Sequence, residues 1–433
     1  MNRRTLIQDG LDYIEDNLAA EIYASDLAEK AGLSLFYYYR LFQSATGMPI
    51  MQYILRRRLL HAIYQIRCGS SKIDAALHYG FDTYAGFYKA FLREFGCTPS
   101  AFLKSHRAKQ PYRLNLTKEE HMVVTRKKAA EILKHWKLEN AAVSDIYYEA
   151  TGNKNDNAYY IGDAYVLKFT ANLGKLENHT ELSKSIHSIG LCAATPLITA
   201  AGKEYVQDGE LYFYLTKRLP GSQMQAADFY EGDCKSKARF VGEILGQLHL
   251  VLAKMELPIN DANLYETLKG WALPKAQDAL GWSDDACSAY LAAFGELYDT
   301  LPRQIIHRDP NPGNIICADD KWGFIDFELS ERNVRIYDPC YAATALLSET
   351  FAGGDPSTLE KWPEIYRNII RGYDCVVNLT AEERKALPYM ILANQLVCVA
   401  WFAEQAKYSD LFETNKRMTV WLEDNFHNLC IDA

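Results

Sequence analysis

The first hundred residues place apolar side chains at helical spacing and interrupt them with short polar turns. Between Ile7 and Leu18 the apolar positions recur every three or four residues, which predicts one amphipathic helix. The next stretch, SDLAEKAGLSLFYYYRLFQSATG, predicts two further helices, capped by Ser25 and Ser34 and joined by a tight turn at Gly32. Two short helices about such a turn form a helix-turn-helix unit.

The same pattern returns further along the chain. A long helix is predicted over residues 49–66, and the string SKIDAALHYGFDTYAGFYKAFLREFGCTPSAF then predicts a short helix, a turn at Gly80 and a second helix. The core stripe of that last helix is Phe87, Phe91 and Phe95, at intervals of four. The sequence therefore predicts an all-α region in which one long helix joins two helix-turn-helix units.

The second helix of the first unit has an aromatic and basic outer face. Tyr38, Leu41 and Phe42 share its inner face, which turns Phe36 and Arg40 outward. Residues 1–110 carry 14 Lys and Arg against 10 Asp and Glu, or +4, whereas the remainder carries 33 against 45, or −12. A basic head on an acidic body indicates two parts with different partners.

These strings resemble the DNA-binding domain of the AraC/XylS transcription regulators over nearly all of residues 5–103. The resemblance implies that residues 1–107 bind double-stranded DNA, with the outer faces of both second helices in adjacent segments of the major groove. The implied base-reading residues are Phe36, Tyr39, Arg40, Tyr84, Ala85, Tyr88 and Lys89. The implied phosphate contacts are Arg56, Arg57 and Arg58. A helical bundle that binds no DNA is the alternative interpretation.

The chain then changes from helical to strand patterning. Residues 108–124 are polar and lack a steady period, so they are interpreted as a linker. An amphipathic helix is expected over residues 126–136, and three strands are expected around residues 146–150, 158–161 and 164–169.

The third of these strands carries a lysine that could reach a ligand beneath the sheet. Lys168 shares its face of the strand with Val166. The preceding turn, TGNKNDN, is rich in small and polar residues whose backbone N–H groups can cover phosphates. A helix predicted over residues 175–188 offers Glu177 and Glu181 as ion-pair partners for the lysine, and Glu181, nearer the helix centre, is preferred.

The stretch QIIHRDPNPGNIICADDKWGFIDFE predicts short buried strands, the last two of them an antiparallel hairpin about a turn near Asp320. Asn314 and Asp326 each lie six residues from that turn, which places them side by side. Asp309 lies on the loop that leads into the hairpin. A carboxylate that orients a hydroxyl, beside an amide and a second carboxylate that hold Mg²⁺, is the arrangement that phosphoryl transfer requires.

These residues resemble the kinase-like phosphotransferases of the aminoglycoside phosphotransferase and choline kinase group, over roughly residues 140–400. The resemblance implies an α+β two-lobed kinase-like domain over residues 125–433, with lobes of about 140–216 and 220–433. The fold class is therefore multidomain, an all-α DNA-binding domain followed by this kinase-like domain.

By position, the resemblance assigns a role to each polar residue of the second part. It makes Asp309 the catalytic base, Lys168 the phosphate-binding lysine with Glu181 as its partner, and Asn314 and Asp326 the metal ligands. The implied nucleotide contacts are Gly152, Asn157, Val166, Lys168, Lys217 and Leu219. The implied cofactors are ATP or GTP with Mg²⁺. The substrate contacts are expected to be Glu328, Asn394, Trp401 and Glu404, with a core position for Trp401 and its neighbours as the equal alternative.

The loop around Asp309 departs from the pattern of that group at one position. Residue 308 is Arg where the group more often has Gly. His307 and Asp338 are interpreted as structural residues that brace the loop.

Composition limits the remaining alternatives. The chain lacks a continuous apolar run of membrane-spanning length and a secretory h-region, and its ten cysteines are spread singly, so a reduced, cytoplasmic protein without a membrane partner is expected. A homodimer is compatible with this interpretation.

Three hypotheses for the whole chain stay open. The first is a regulator that phosphorylates or binds a small hydroxylated molecule, such as an aminoglycoside or amino alcohol. The second is a sensor whose kinase-like domain does not turn over. The third is a small-molecule kinase with an accessory DNA-binding head.

Overall fold

The computed structural model describes residues 3–104, 108, 110–116, 124–147, 154–318, 321–351, 356–404 and 409–431. The α-helices are α1 (Arg3–Asp16), α2 (Ala24–Lys30), α3 (Leu35–Thr46), α4 (Ile50–Arg67), α5 (Lys72–His78), α6 (Tyr84–Phe95), α7 (Pro99–Lys104), α8 (Arg126–Leu133), α9 (Leu173–Ser188), α10 (Cys234–Leu252), α11 (Leu264–Thr267), α12 (Leu273–Leu280), α13 (Asp284–Tyr298), α14 (Tyr337–Phe351), α15 (Pro356–Val377), α16 (Ala381–Ala403) and α17 (Ser409–Asp424). The strands are β1 (Val143–Tyr147), β2 (Lys154–Ile161), β3 (Tyr165–Thr170), β4 (Cys192–Ala193), β5 (Val206–Asp208), β6 (Leu211–Lys217), β7 (Ser222–Gln223), β8 (Arg303–Ile306), β9 (Ile315–Ala318), β10 (Lys321–Phe324) and β11 (Glu331–Val334).

The chain divides into two compact units, each of which is described by itself. Unit 1 comprises Met1–Ala171 and Ile198–Tyr214, and unit 2 comprises Asn172–Leu197 and Leu215–Ala433.

Helices α2 with α3 and α5 with α6 form the two predicted helix-turn-helix units, which α4 joins. Gly32 and Gly80 adopt left-handed backbone, with φ of +67° and +78°, in the two turns. Ser34 and Thr83 accept backbone N–H groups from the first turns of α3 and α6. The predicted cap at Ser25 is wrong, because α2 already includes that residue and no side chain caps its start.

A single apolar core lies beneath these helices. The inner faces of α3 and α6 fill it with the predicted aromatic residues, among them Tyr38, Phe42, Phe87, Phe91 and Phe95. Because the inner faces are apolar, the opposite faces of both helices are left for solvent or a partner.

Part of the predicted linker packs against this bundle. The side chain of Gln8 donates to the carbonyl of Leu114 at 3.0 Å and accepts the N–H of Leu116 at 2.7 Å. Both leucines are buried, and the guanidinium of Arg57 donates to the carbonyl of Tyr112 at 2.7 Å. Residues 110–116, called the strap below, therefore belong to the head.

The rest of unit 1 is the helix α8 and most of an antiparallel sheet. The five strands have the order β1-β2-β3-β6-β5, and in the β2–β3 pair Ala158 lies opposite Lys168. Strand β1 begins at Val143, three residues before the predicted start, and the predicted end, residues 148–150, lies outside the described residues.

The helical core of unit 2 contains two helices whose backbones lie in direct contact. Helices α10 and α15 cross at Gly242 and Gly372, where a Cβ atom would come within 2.0 Å of backbone oxygens of the facing helix. Two small sheets, β4-β10-β9-β7 and β11-β8, lie beside the helical core. Only glycine permits this crossing, so the two helices are fixed against each other.

One helix of unit 2 is long and apolar enough to cross a membrane by length and composition. This helix, α16, has most of its residues buried in the core of the unit, including Met390, Ile391 and Leu396. A core helix of a folded domain passes the same test of composition, so we interpret α16 as one.

Candidate functional site

The two outer helix faces of the head present side chains of the type expected to read DNA. Phe36 is 73% exposed, and the guanidinium of Arg40 lies 5.9 Å from the centre of its ring. Ala85 and Lys89 are exposed on α6. Among the other predicted base readers, Tyr39, Tyr84 and Tyr88 are half-buried. Tyr37, which the sequence reasoning missed, is exposed beside Phe36.

The arginine run on α4 is oriented differently from the prediction. Arg57 is buried and pairs with both carboxylate oxygens of Glu15 at 2.5 and 2.9 Å. Arg58 donates to the carbonyls of Leu18 and Ala20. Both guanidinium groups are therefore bound within the head. The expectation that Arg57 contacts a phosphate is wrong because Arg57 is buried, whereas Arg58 is half-buried and its phosphate contact stays a prediction.

Arg56 is the remaining member of the run. Its guanidinium lies 2.8 Å from Glu94 and 5.0 Å from the centre of the Phe95 ring. A quarter of the side chain stays exposed, so a phosphate would have to compete with Glu94 for it.

In unit 2, the loop after β8 carries Asp309. We call residues 307–311 the catalytic loop. The Asp309 carboxylate accepts hydrogen bonds from Asn311 Nδ2 at 2.9 Å and from Asn314 Nδ2 at 3.2 Å. The amide of Asn314 also donates to the Asp309 carbonyl at 2.9 Å. Two amide side chains thus fix the direction of one carboxylate.

His307 and Arg308 brace this loop. Nε2 of His307 lies 3.0 Å from the Ile325 carbonyl, and Nδ1 accepts the Asp309 N–H at 3.3 Å. Arg308 has φ of +77°, a conformation that favours glycine, and its guanidinium lies 2.8 Å from Glu331. The structural interpretation of His307 is confirmed, and the backbone at 308 explains why glycine suits that position.

The electrostatic surroundings of Asp309 differ from water. Burial raises the pKa of the Asp309 carboxyl above its ordinary value, hydrogen bonding from Asn311 opposes the rise, and the charge of Asp326 adds to it. Tyr341 on α14 and Cys398 on α16 also interact with this carboxyl. Burial is the largest effect on the Cys398 thiol and raises its pKa to about 12. Sequence reasoning missed both, because helices distant along the chain supply them.

The hairpin that was expected to hold the metal ligands is present with a register shifted by one residue. Phe324 lies opposite Ile315, and the N–H of Ile325 donates to the Asn314 carbonyl at 3.0 Å, so Asn314 faces residue 325 rather than Asp326. Asp326 has left-handed backbone, with φ of +70°, just beyond the end of β10. Since Asn314 turns its NH₂ to Asp309, its side-chain oxygen can serve a hard cation, and the donor set fits Mg²⁺.

The predicted partner of Lys168 is wrong. Lys168 is buried on β3, whereas Glu181 is exposed on α9 and pairs with Lys184 at 3.0 Å. The buried polar side chains of α9 are His179, Thr180 and Ser183. This helix therefore buries no carboxylate.

The other predicted nucleotide contacts occupy varied surroundings. Asn157 and Val166 are half-buried on β2 and β3, and Gly152 lies outside the described residues. Lys217 is exposed at the end of β6, with Leu219 half-buried just beyond it.

The predicted substrate contacts divide into accessible and inaccessible groups. Asn394 is fully buried and donates to the Tyr337 carbonyl at 3.2 Å, so its assignment as a substrate contact is wrong. Glu404 pairs with Lys275 at 2.6 Å. Trp401 is 42% exposed, and Glu328 is half-buried two residues after Asp326.

Comparison with known proteins agrees with this geometry. A profile described as the Phosphotransferase enzyme family matches residues 149–381, which include the catalytic loop and the hairpin. The chain belongs to this phosphotransferase family. A second profile, described as Helix-turn-helix domain, matches residues 27–105, and the head of this chain is of the AraC type.

Curated relatives match the head. The Transposon Tn10 TetD protein of Escherichia coli is 37% identical over 102 residues, which are 23% of this chain and 74% of that protein. Transcriptional regulator Rob of Salmonella typhimurium is 33% identical over 132 residues, 29% of this chain and 46% of Rob. The head of this chain therefore resembles transcription regulators.

Solved structures match the rest of the chain. The microcompartment-associated aminopropanol kinase superposes with a TM-score of 0.51 at 16% identity, covering 70% of this chain and 98% of the other. The GDP complex of aminoglycoside 2'-phosphotransferase-IIIa gives 0.52 at 12% identity, covering 70% and 99%. At these identities the likeness shows the fold alone, which is the predicted kinase-like one.

Proposed function

We propose that this protein is a DNA-binding transcription regulator whose kinase-like domain binds a magnesium nucleotide and phosphorylates a small hydroxylated molecule. The observation that carries the proposal is the catalytic loop, in which Asn311 and Asn314 aim the Asp309 carboxylate. Asp309 orients the substrate hydroxyl and takes its proton, and Asn314 and Asp326 hold the cation, which neutralises charge on the phosphates when bound.

The proposed substrate class is an aminoglycoside, an amino alcohol or a similar amine. The net charge of −12 beyond residue 110 suits a cation, and Glu328 and Trp401 are accessible for its amine. Support also comes from structural neighbours that include an aminopropanol kinase. A screen of alcohols with purified protein, ATP or GTP and Mg²⁺, read by mass spectrometry for a phosphorylated product, tests the proposal.

One observation favours a second candidate, a sensor that binds its ligands without turnover. Protein kinases use a helix carboxylate to orient the phosphate-binding lysine, and Glu181, the residue expected in that role, is exposed and pairs with Lys184 at 3.0 Å instead. Nucleotide binding without any phosphorylated product in the screen would select this candidate.

Binding of the head to duplex DNA is expected to weaken as salt rises, because basic side chains displace counterions from the phosphates. Arg40→Ala and Lys89→Ala should each cost about 1 to 3 kcal/mol of binding free energy if they reach base edges. Fluorescence anisotropy with the full chain measures this. Lys104→Ala, an exposed charge on α7, is the matched control. Affinity that is independent of salt, or equal losses in all three variants, would contradict base reading by Arg40 and Lys89.

A magnesium nucleotide is expected to raise the unfolding midpoint of the full chain, because a ligand of the folded state stabilises it by mass action. Asp326→Ala should remove the Mg²⁺ dependence of this shift, since it removes a proposed metal ligand. Asp261→Ala, an exposed carboxylate paired with Arg303, is the control. Thermal denaturation with millimolar ATP or GTP, with Mg²⁺ and with EDTA, gives the result. Absence of any shift would leave the fold intact and eliminate the nucleotide site.

A further inference from the structure

A buried chain of hydrogen bonds runs from α15 to the catalytic loop. The hydroxyl of Tyr373 lies 2.6 Å from Nδ1 of His249 on α10, and Nε2 of His249 lies 2.9 Å from Oδ2 of Asp338. Asp338 accepts the backbone N–H groups of His307 and Arg308 at 2.7 and 2.9 Å. The side chains of Tyr373, His249 and Asp338 are each at most 1% exposed. Each of these hydrogen bonds is therefore shielded from water.

The direction of each hydrogen bond follows from its partners. Burial holds the pKa of Tyr373 well above its usual range, so its hydroxyl keeps the proton and can donate to Nδ1. The carboxylate of Asp338 accepts, so His249 donates to it from Nε2. One neutral tautomer of His249 satisfies both neighbours. With this tautomer the donors run in one direction, from the phenol of Tyr373 to the carboxylate of Asp338.

The surroundings of this chain leave it little room to shift. The glycines at the crossing of α10 and α15 bring Tyr373 against the helix that carries His249, and Gly372 is its immediate neighbour. The side chain of Gln304 donates to the carbonyl of His249 at 3.0 Å. A close-packed crossing transmits a small change in the phenol to the imidazole rather than absorbing it.

We infer that Tyr373 is a positioning residue for the transfer reaction, acting through His249 and Asp338 on the backbone of His307 and Arg308. Arg308 is the residue with left-handed backbone, and Asp309 follows it directly. Asp338 accepts one N–H group from each of the two residues before Asp309. These two hydrogen bonds determine the position of the Asp309 carboxylate. The catalytic consequence rests on the proposed function, whereas the effect on the loop does not.

Tyr373→Phe tests the inference, with Tyr366→Phe as its matched control. Tyr366 is two turns earlier on α15, equally buried, and its hydroxyl donates to the Leu429 carbonyl at 3.0 Å, outside this chain of hydrogen bonds. Hydrogen exchange of peptides covering residues 305–311 measures the opening of the loop without any substrate. Steady-state kinetics with the substrate from the screen measures the rate of transfer.

We expect Tyr373→Phe to accelerate exchange at residues 307 and 308 about tenfold and to lower kcat about tenfold, with the KM for nucleotide unchanged. Tyr366→Phe should change neither. Unchanged exchange in Tyr373→Phe, or equal acceleration in both variants, would overturn the inference. Accelerated exchange with unchanged kcat would refute the positioning of Asp309. If the wild type gives no product while Tyr373→Phe still frees the loop, the proposed function fails and the control of the loop by Tyr373 stands.

Discussion

Asp309→Asn is expected to lower substrate-dependent phosphoryl transfer by about a hundredfold or more while leaving nucleotide binding intact. Asparagine keeps the size and shape of the side chain, and its one oxygen can still accept from Asn311 or Asn314. It cannot accept the substrate proton. Burial, the largest effect on this group, raises the pKa of the Asp309 carboxyl and moves it nearer to the working pH, which suits a general base. Product formation followed by mass spectrometry, beside the thermal shift with Mg²⁺ and nucleotide, measures the two effects separately.

The control for this experiment is a change of charge elsewhere in unit 2. Asp261→Asn removes a carboxylate that is exposed and paired with Arg303, so turnover should stay at the wild-type rate. Full turnover by Asp309→Asn would show that another group accepts the proton. A wild type that binds nucleotide and forms no product would contradict the enzyme hypothesis and support the sensor.

Local signals in the sequence were sufficient for most of the elements that position these sites. The two helix-turn-helix units follow from apolar periodicity and from turn glycines with left-handed backbone at Gly32 and Gly80. Hydroxyl caps begin both α3 and α6. The loop that carries Asp309 was predicted correctly because its strands are short, apolar and bounded by polar turns.

The errors arose where the partner of a side chain lies far away in sequence. Arg57 and Glu15 are 42 residues apart, and no local pattern pairs them. Periodicity could have placed Arg57 inside, because it is four residues after Tyr53, a core residue of α4. The same argument places Glu181 outside, since it falls off the buried stripe of α9 that runs through Leu176 and Ser183.

The hairpin register was missed for a different reason. The count was centred on Asp320, whereas the observed pairs, such as Lys321 with Ala318 and Phe324 with Ile315, are symmetric about a point between residues 319 and 320. An error of half a residue in the centre of a hairpin shifts the pairing by one residue, so Asn314 faces Ile325 instead of Asp326. Asp326 lies beyond the paired strand and has left-handed backbone, with φ of +70°, which a count of residues does not predict.

Arg57→Ala is expected to destabilise the head by about 3 to 5 kcal/mol, rather than to weaken phosphate contacts, because it leaves a buried charge without its main partner. The Glu15 side chain is 3% exposed. Besides its contacts with Arg57, its Oε2 lies 3.3 Å from Nε2 of His61. The substitution also removes the hydrogen bond from Arg57 to the carbonyl of Tyr112 in the strap.

The pH dependence of this loss has a definite sign. Burial alone would raise the pKa of Glu15, but hydrogen bonds from His61 and Arg57 outweigh it and leave the pKa below its ordinary value. A depressed pKa in the folded state gives stability that is present above the unfolded pKa and is lost as the pH falls. The difference in stability between wild type and Arg57→Ala should therefore shrink in acid, where Glu15 is protonated.

Two readouts separate the head from the rest of the chain in the Arg57→Ala experiment. All seven tryptophans lie at or beyond Trp136, so their fluorescence transition reports on the remainder of the protein and should be unchanged. Hydrogen exchange of peptides from α1 and α4 reports on the head, and the opening free energy there should fall by the expected amount. Arg57→Ala combined with Glu15→Gln should recover part of the loss, since no charge is then stranded. If α1 and α4 exchange as slowly in Arg57→Ala as in the wild type, the buried pair does not stabilise the head, and Arg57 is again a candidate for contact with phosphates.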